Sequence, residues 1–136
     1  MPGNVIWTVL MSRDLQAAVT LYEGALGWKF EPCAQSPYPC WVGRGAGDRA
    51  FALFMDTSAS DFPAAMEVWL PCLSVENLAD RVRKAEEFGA TLLRPIFDIR
   101  DFGRIALLRH PGGAIVAWML RARDSTWPDP SARPAG

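Results

Sequence analysis

The sequence is poor in the residues that most often carry chemistry. Its 136 residues include one histidine, His110, and three cysteines, Cys33, Cys40 and Cys72. A single imidazole cannot build a multi-histidine metal centre, and no Ser-His-Asp arrangement can be argued around it. The thiols are odd in number and lack a C-x-x-C spacing, so they suit reduced cysteines in a cytoplasm better than a disulfide frame. Cys40, near a strand start, could be reachable, yet no base is evident to activate it; Cys72 reads as inert.

An excess of charge is missing too. Fourteen Lys and Arg residues stand against fifteen Asp and Glu, for a formal charge of −1, with no basic or acidic block. A nucleic-acid-binding surface needs clustered Lys and Arg, so that class is excluded. The apolar runs fall well short of the roughly 20 residues that a membrane-spanning helix takes. The start, Met-Pro-Gly-Asn-Val, has no basic segment followed by an apolar one, so no signal peptide is evident. The expectation is a cytoplasmic protein that engages neither nucleic acid nor membrane.

What the chain has is apolar content and repetition. Half of its residues are hydrophobic, enough for the core of one domain. Sliding the sequence by 62 positions lays Trp7 on Trp69, Ser12 on Ser74, Asp14 on Glu76, Ala17 on Ala79 and Gly27 on Gly89. A slide of 65 lays Arg44 on Arg109, Gly47 on Gly112, Ala52 on Ala117 and Met55 on Leu120. An internal duplication is the simplest account.

Each copy reads as strand, helix and three further strands. In the first, residues 4–11 alternate as a strand and Asp14 sits at a helix N-cap. Leu15, Val19, Tyr22 and Leu26 recur at helical spacing before Gly27. Residues 28–32, 40–44 and 50–56 follow as strands, with a loop over 34–39. The run Gly43-Arg44-Gly45-Ala46-Gly47 has a phosphate-loop flavour, but it leads into a strand and lacks the lysine, so it reads as a hairpin turn.

The second copy starts at a strand over 66–73 and a helix within 74–89, whose buried stripe is Leu78, Val82, Ala85 and Phe88. Strands over 91–97, 103–109 and 114–121 complete it, with a loop over 98–102. The domain is therefore 1–122, with modules at about 4–56 and 66–121, a linker over 57–65 and a flexible Pro-rich tail over 123–136 anchored at most by Trp127. The fold class is α+β: two tandem βαβββ modules forming a curved mixed sheet with the helices on its outer face. Alternation puts Ile6, Leu10, Phe51, Leu53, Met55, Leu70 and Cys72 toward the helices. Trp7, Ala52, Phe54, Glu67, Trp69 and Ala117 fall on the other, equally apolar face, which must curl round a cavity or meet another chain.

Two stretches carry a family resemblance: Asp14-Leu15-x-x-Ala18-Val19-x-Leu21-Tyr22-x-x-x-Leu26-Gly27-Trp28, and the run from Gly103-Arg104-Ile105 through His110-Pro111-Gly112-Gly113-Ala114. With the duplication, the chain resembles the vicinal oxygen chelate superfamily of glyoxalases, extradiol dioxygenases and bleomycin-resistance proteins over about residues 5–120. The resemblance implies a half-open barrel around a central site, and often a homodimer. It also implies a divalent metal held by His or Gln on the first strand of each module and Glu on the last. Here the residues seven before Asp14 and Glu76 are Trp7 and Trp69, and the last-strand positions are Ala52 and Ala117. No metal or other cofactor is therefore expected.

The site reading that follows is a stacking clamp. Trp7 and Trp69 would face each other over a floor of Ala52 and Ala117 and hold a flat, aromatic or cationic ligand, or the indoles would simply fill the space left by the metal. Phe54 and Trp41 are candidate walls that could equally be core. Arg104 could turn inward to bind a ligand carboxylate or lie in a surface ion pair. Glu67 is the one candidate for acid–base work, against the plainer reading of an exposed strand-end carboxylate. The preferred function is metal-independent binding of a small hydrophobic or aromatic molecule between the modules, as in bleomycin-resistance-like sequestration or sensing. The alternatives are a glyoxalase-like lyase, isomerase or dioxygenase with atypical site residues, and an interaction module whose cavity is self-filled.

Overall fold

The computed structural model describes residues 5–33, 39–58, 67–99 and 103–122. The expected loop over 34–38, most of the linker and the whole tail lie outside the described residues. Nine strands and two α-helices run in the order β1 (Val5–Ser12), α1 (Leu15–Leu26), β2 (Lys29–Pro32), β3 (Cys40–Arg44), β4 (Ala50–Asp56), β5 (Val68–Ser74), α2 (Leu78–Glu87), β6 (Thr91–Leu92), β7 (Phe97–Ile99), β8 (Gly103–Arg109) and β9 (Ile115–Arg121).

All the strands join one mixed sheet in the order β2-β3-β4-β1-β5-β9-β8-β6, with β7 also paired to β8. Within each module the first and last strands are parallel, β1 with β4 and β5 with β9. A parallel neighbour cannot be reached by a tight turn, so each module needs its helical crossover. The seam between modules is the antiparallel β1–β5 ladder. The sheet and its two helices are the α+β architecture that the duplication implied.

Helix α1 starts at Asp14, whose Oδ1 accepts from Ala17 N at 3.1 Å, and ends at Gly27, where φ is +70°. The side-chain cap satisfies one of the free N–H groups of the first turn, and glycine takes the left-handed position without a Cβ clash. Helix α2 has no such start: Asn77 holds a left-handed φ of +53° and its side chain makes no cap bond. Leu15 and Val19 of α1, and Leu78 and Val82 of α2, are the residues these helices bury against the sheet.

Three expectations need correction. Phe88 does not join the buried stripe of α2: the helix ends at Glu87 and the ring is 76% exposed. Leu26 is likewise exposed at the last turn of α1. The single strand expected over 91–97 is broken before Phe97, and Pro95, which has no N–H for a ladder, sits in the gap. Strand β7 instead occupies part of the expected 98–102 loop. The Gly-rich run at 43–47 is the β3–β4 turn, containing a short 3-10 turn at Ala46–Asp48.

The core divides into three clusters set by strand alternation. Outside the sheet, α1 covers Leu10, Ala52 and Phe54, while α2 covers Ala106, Leu108 and Val116. The inner, concave face carries the largest cluster, including Trp7, Val9, Met11, Val42, Leu53, Met55, Leu70, Cys72, Leu107, Ala117 and Met119. Burying one such large apolar side chain is worth about 1.5–3 kcal/mol against exposure, so this face dominates the stability of the fold.

Candidate functional site

The concave face between the modules is the candidate site, and ladder register decides which side chains reach it. Trp7 pairs with Cys72 and Val9 with Leu70 across the β1–β5 seam. Val9 also pairs with Leu53, and Met11 with Met55, across β1–β4. Cys72 pairs with Ala117 across β5–β9. Directly paired residues point to one face, so Trp7, Leu53, Leu70 and Ala117 share the concave side.

Trp69 does not. It pairs with Leu10, on the α1 side of the sheet. There it is 38% exposed, donates from Nε1 to Tyr22 Oη at 3.1 Å, and meets the Phe54 ring edge-on at 5.3 Å. Tyr22 in turn stacks on Trp28 at 4.7 Å. Trp7, by contrast, is fully buried on the concave side. The two tryptophans lie on opposite faces of one sheet, and the clamp expected from the sequence does not form.

The cause is a repeat taken one residue out of register. The pairs Val9–Leu53, Leu10–Phe54 and Met11–Met55 have their counterparts in Cys72–Ala117, Leu73–Trp118 and Ser74–Met119. The modules therefore superpose at a spacing of 63 through the first strand and helix and 64 through the last strand. That spacing lays Asp14 on Asn77, Leu15 on Leu78, Val19 on Val82 and Met55 on Met119. Slides of 62 and 65 give more identities in places but invert the face of each strand they compare. The two N-caps were the signal in the sequence that could have set the register.

At the corrected spacing, the chelating positions implied by the superfamily resemblance are Trp7 and Leu70 on the first strands and Leu53 and Ala117 on the last. None carries a metal-binding lone pair. Among the described residues, no group of three or more His, Cys, Asp or Glu side chains is placed to hold a metal ion. This donor set does not fit the superfamily's metal.

The remaining candidates separate widely. Ala52, Phe54 and Trp41 all belong to the α1-side cluster, since Trp41 pairs with Phe54 across β3–β4. Arg104 is exposed on the α2 side, where its Nε donates to Asp98 Oδ1 at 3.0 Å. It borders a hollow of about 210 Å³ with Asn77, Asp80 and Ile96, so it does not turn inward. Glu67 is exposed just before β5 and its Oε1 accepts from Arg13 N at 2.6 Å. His110 lies exposed in the β8–β9 turn, its backbone N donating to Ala114 O at 2.7 Å. Ala117 alone among the expected partners remains beside Trp7.

Three methionines were missed as site residues. Met11, Met55 and Met119 are almost completely buried in the concave cluster. Their thioethers have three rotatable bonds and fill irregular space adaptably. At the margin of this apolar cluster stands Glu31, which pairs with Val42 across β2–β3 and whose carboxylate is ion-paired with Arg44. Within the cluster, the Cys72 thiol is pushed up to about 12 by burial, which disfavours the thiolate. The buried face can therefore pack against apolar surface.

No protein-family model matches the chain. Two curated relatives, from Mycobacterium bovis and Mycobacterium tuberculosis and both named "Putative glyoxylase CFP32", are 26% identical over 118 residues, or 84% of this chain. The chain spans only 44% of their length. Among solved structures, methylmalonyl-CoA epimerase from Mycobacterium tuberculosis superposes with a TM-score of 0.57 at 17% identity, covering 88% of this chain and 89% of that one. A Streptomyces coelicolor methylmalonyl-CoA epimerase variant in complex with 2-nitronate-propionyl-CoA gives 0.60 at 13% identity, covering 93% and 100%. A hypothetical protein from Bacillus halodurans gives 0.60 at 12%, covering 89% and 96%. At these identities the solved structures speak to the fold alone. With the relatives' sequence match and the paired modules, they make this chain similar to the vicinal oxygen chelate (glyoxalase-like) superfamily, whose fold it shares.

Proposed function

We propose that the protein binds a small hydrophobic or aromatic molecule on the concave face without a metal. The observation that carries this reading is the set Trp7, Leu53, Leu70 and Ala117, four apolar side chains at the four chelating positions. Around them Met11, Met55 and Met119 supply a lining that can repack around a guest. These side chains fill the space themselves, so binding proceeds by displacing methionine side chains. Trp7 then offers an indole face to a planar guest.

The complete closure of that face favours a second reading, an interaction module with a self-filled cavity. A glyoxalase-like lyase or isomerase would draw its acid–base group from the margin of this face, where Glu31 lies opposite Val42. We also propose a homodimer through α1. Its exposed surface includes Leu21 and Leu26, and Glu23 is the only charged residue in the helix.

The deciding experiment follows tryptophan fluorescence of the full chain, purified without added metal, against a panel of planar apolar compounds. Saturable quenching unchanged by a chelator, and lost in Trp7→Leu with the fold retained, supports binding at this face. Binding that requires a divalent ion overturns it. If no compound binds and Trp7→Leu only destabilises the fold, the self-filled module stands instead.

A further inference from the structure

Cys33 and Cys40 face each other at the end of the β2–β3 pair where the chain passes from one strand to the other. The ladder runs Phe30–Gly43, Glu31–Val42 and Pro32–Trp41, and the next rung sets Cys33 opposite Cys40. Cys33 N donates to Cys40 O at 2.9 Å, which fixes that rung. Directly opposed residues of an antiparallel pair have Cα atoms about 4.5–5.5 Å apart, inside the roughly 4.4–6.8 Å span that a disulfide requires. Neither cysteine is held in a disulfide.

The two differ in access. Cys40 is buried in the concave cluster beside Val42 and Met55, whereas Cys33 is half-buried at its margin. Cys40, which its place near a strand start suggested could be reached, is therefore the buried member. A hydrogen bond between the two thiols, together with burial and the neighbouring charge of Glu31, pushes the Cys33 thiol up. Two sulfurs in such contact do not ionise together, so the pair keeps a proton between them. Cys72, fully buried on β5, belongs to neither strand and serves as an internal control.

We infer that Cys33 and Cys40 form a redox-active dithiol that a low-molecular-weight disulfide oxidises to a cross-strand disulfide. The Cys33 thiolate attacks one sulfur of the small disulfide, its S–S bond breaks, and one thiolate leaves and takes up the proton released by Cys33. Cys40 then loses its proton to solvent and attacks the Cys33 sulfur of the mixed disulfide, releasing the second small thiolate, which is protonated in turn. The two cysteines give up two electrons and two protons, and the small disulfide becomes two thiols. The product bond ties β2, an edge strand held in the sheet only by β3, across the segment between the two cysteines. The raised Cys33 thiol makes oxidation slow at neutral pH and faster as pH rises, because the attacking thiolate is scarce.

The test equilibrates the full chain in glutathione buffers from reducing to oxidising, alkylates the remaining thiols, and maps the peptides by mass spectrometry. The expected product has lost two hydrogens, carries a Cys33–Cys40 cross-link and is alkylated only at Cys72. Cys72→Ala should oxidise in the same way. Cys40→Ser should stop at a glutathione adduct on Cys33, and the oxidised wild-type chain should melt several degrees higher than the reduced one. A chain that accumulates only glutathione adducts or intermolecular dimers, or that links Cys72, overturns the assignment. So does a Cys40→Ser variant with no adduct at Cys33.

Discussion

Trp69 Nε1 donates to Tyr22 Oη at 3.1 Å, a bond that ties the first strand of the second module to the helix of the first. It places Trp69 in the outer aromatic cluster with Phe54 and Trp28 and gives this residue a structural duty. Tyr22→Phe should lower stability in urea by about 0.5–1.5 kcal/mol, the usual net worth of one hydrogen bond. Trp69→Ala should cost about 1–3 kcal/mol, less than a fully buried tryptophan because over a third of it is already exposed. Neither change should alter affinity for a concave-face ligand. A loss of binding in folded Trp69→Ala would contradict the face assignment.

The register makes a sharper prediction about chelation. Trp7→His, Leu70→His and Ala117→Glu put three donors on one face, each on a strand next to another carrier. Zinc should raise the thermal midpoint of that triple variant. The companion with Trp69→His in place of Leu70→His carries the same three donors, but one lies across the sheet, so zinc should leave its midpoint unchanged. Equal zinc responses in the two variants would show that the concave face is not built as described.

Much of the fold was legible because its signals are local. Asp14 and Gly27 bracket α1 by capping chemistry that needs no tertiary context, and the turn around His110-Pro111-Gly112-Gly113 marks the β8–β9 hairpin. The site was legible only in part. Which face a strand residue takes depends on parity, and a repeat displaced by one position reverses it for every residue compared. Trp7 and Ala117 came out together because the motifs fixed them directly. Trp69 and Ala52 were placed by identity matches and landed on the wrong side, hiding Leu70 and Leu53. The methionines carried no signal, since an apolar residue in a strand looks the same whether it lines a core or a site.

Alkaline pH should weaken the fold through Cys72. Burial raises its thiol from an ordinary value of 9.0 to about 12. Between these values the unfolded chain has given up the proton while the folded chain still holds it, so unfolding releases a proton and stability falls with rising pH. The contribution is fully present below pH 9 and lost as pH climbs toward 12, at up to about 1.4 kcal/mol per pH unit. Cys33, also raised, adds to the same slope. Urea titrations across this window should show a shallower decline for Cys72→Ala than for the wild type, whatever its absolute stability.

The apolar outer surface of α1 predicts the oligomeric state. Leu21 and Leu26 are exposed on a helix whose only charge is Glu23, whereas α2 carries Asp80, Arg81, Arg83, Lys84, Glu86 and Glu87. A helix face that stays in water usually looks like α2. Sedimentation should find a dimer, and Leu21→Glu with Leu26→Glu should convert it to a folded monomer by setting like charges against each other in a two-fold interface. A monomeric wild type, or a dimer indifferent to both changes, would remove α1 from the interface.

Gly103 tests how tightly the second module closes. It starts β8 at a φ of +148° and pairs with Arg121 at the far end of β9. A Cβ added there would lie 2.2 Å from Leu120 O and 2.9 Å from Arg121 Cα, both backbone atoms that cannot swing aside. Gly103→Ala must therefore either part the β8–β9 ladder at this rung or move the backbone out of its left-handed region. Either route costs about 2 kcal/mol or more, at the large end of single-residue effects. Gly112→Ala, in the hairpin turn with open space around its Cβ position, should change stability by less than about 0.5 kcal/mol. Chemical denaturation of the two variants side by side separates a backbone clash from the general cost of replacing glycine, because only the first depends on Leu120 and Arg121 standing where the ladder puts them.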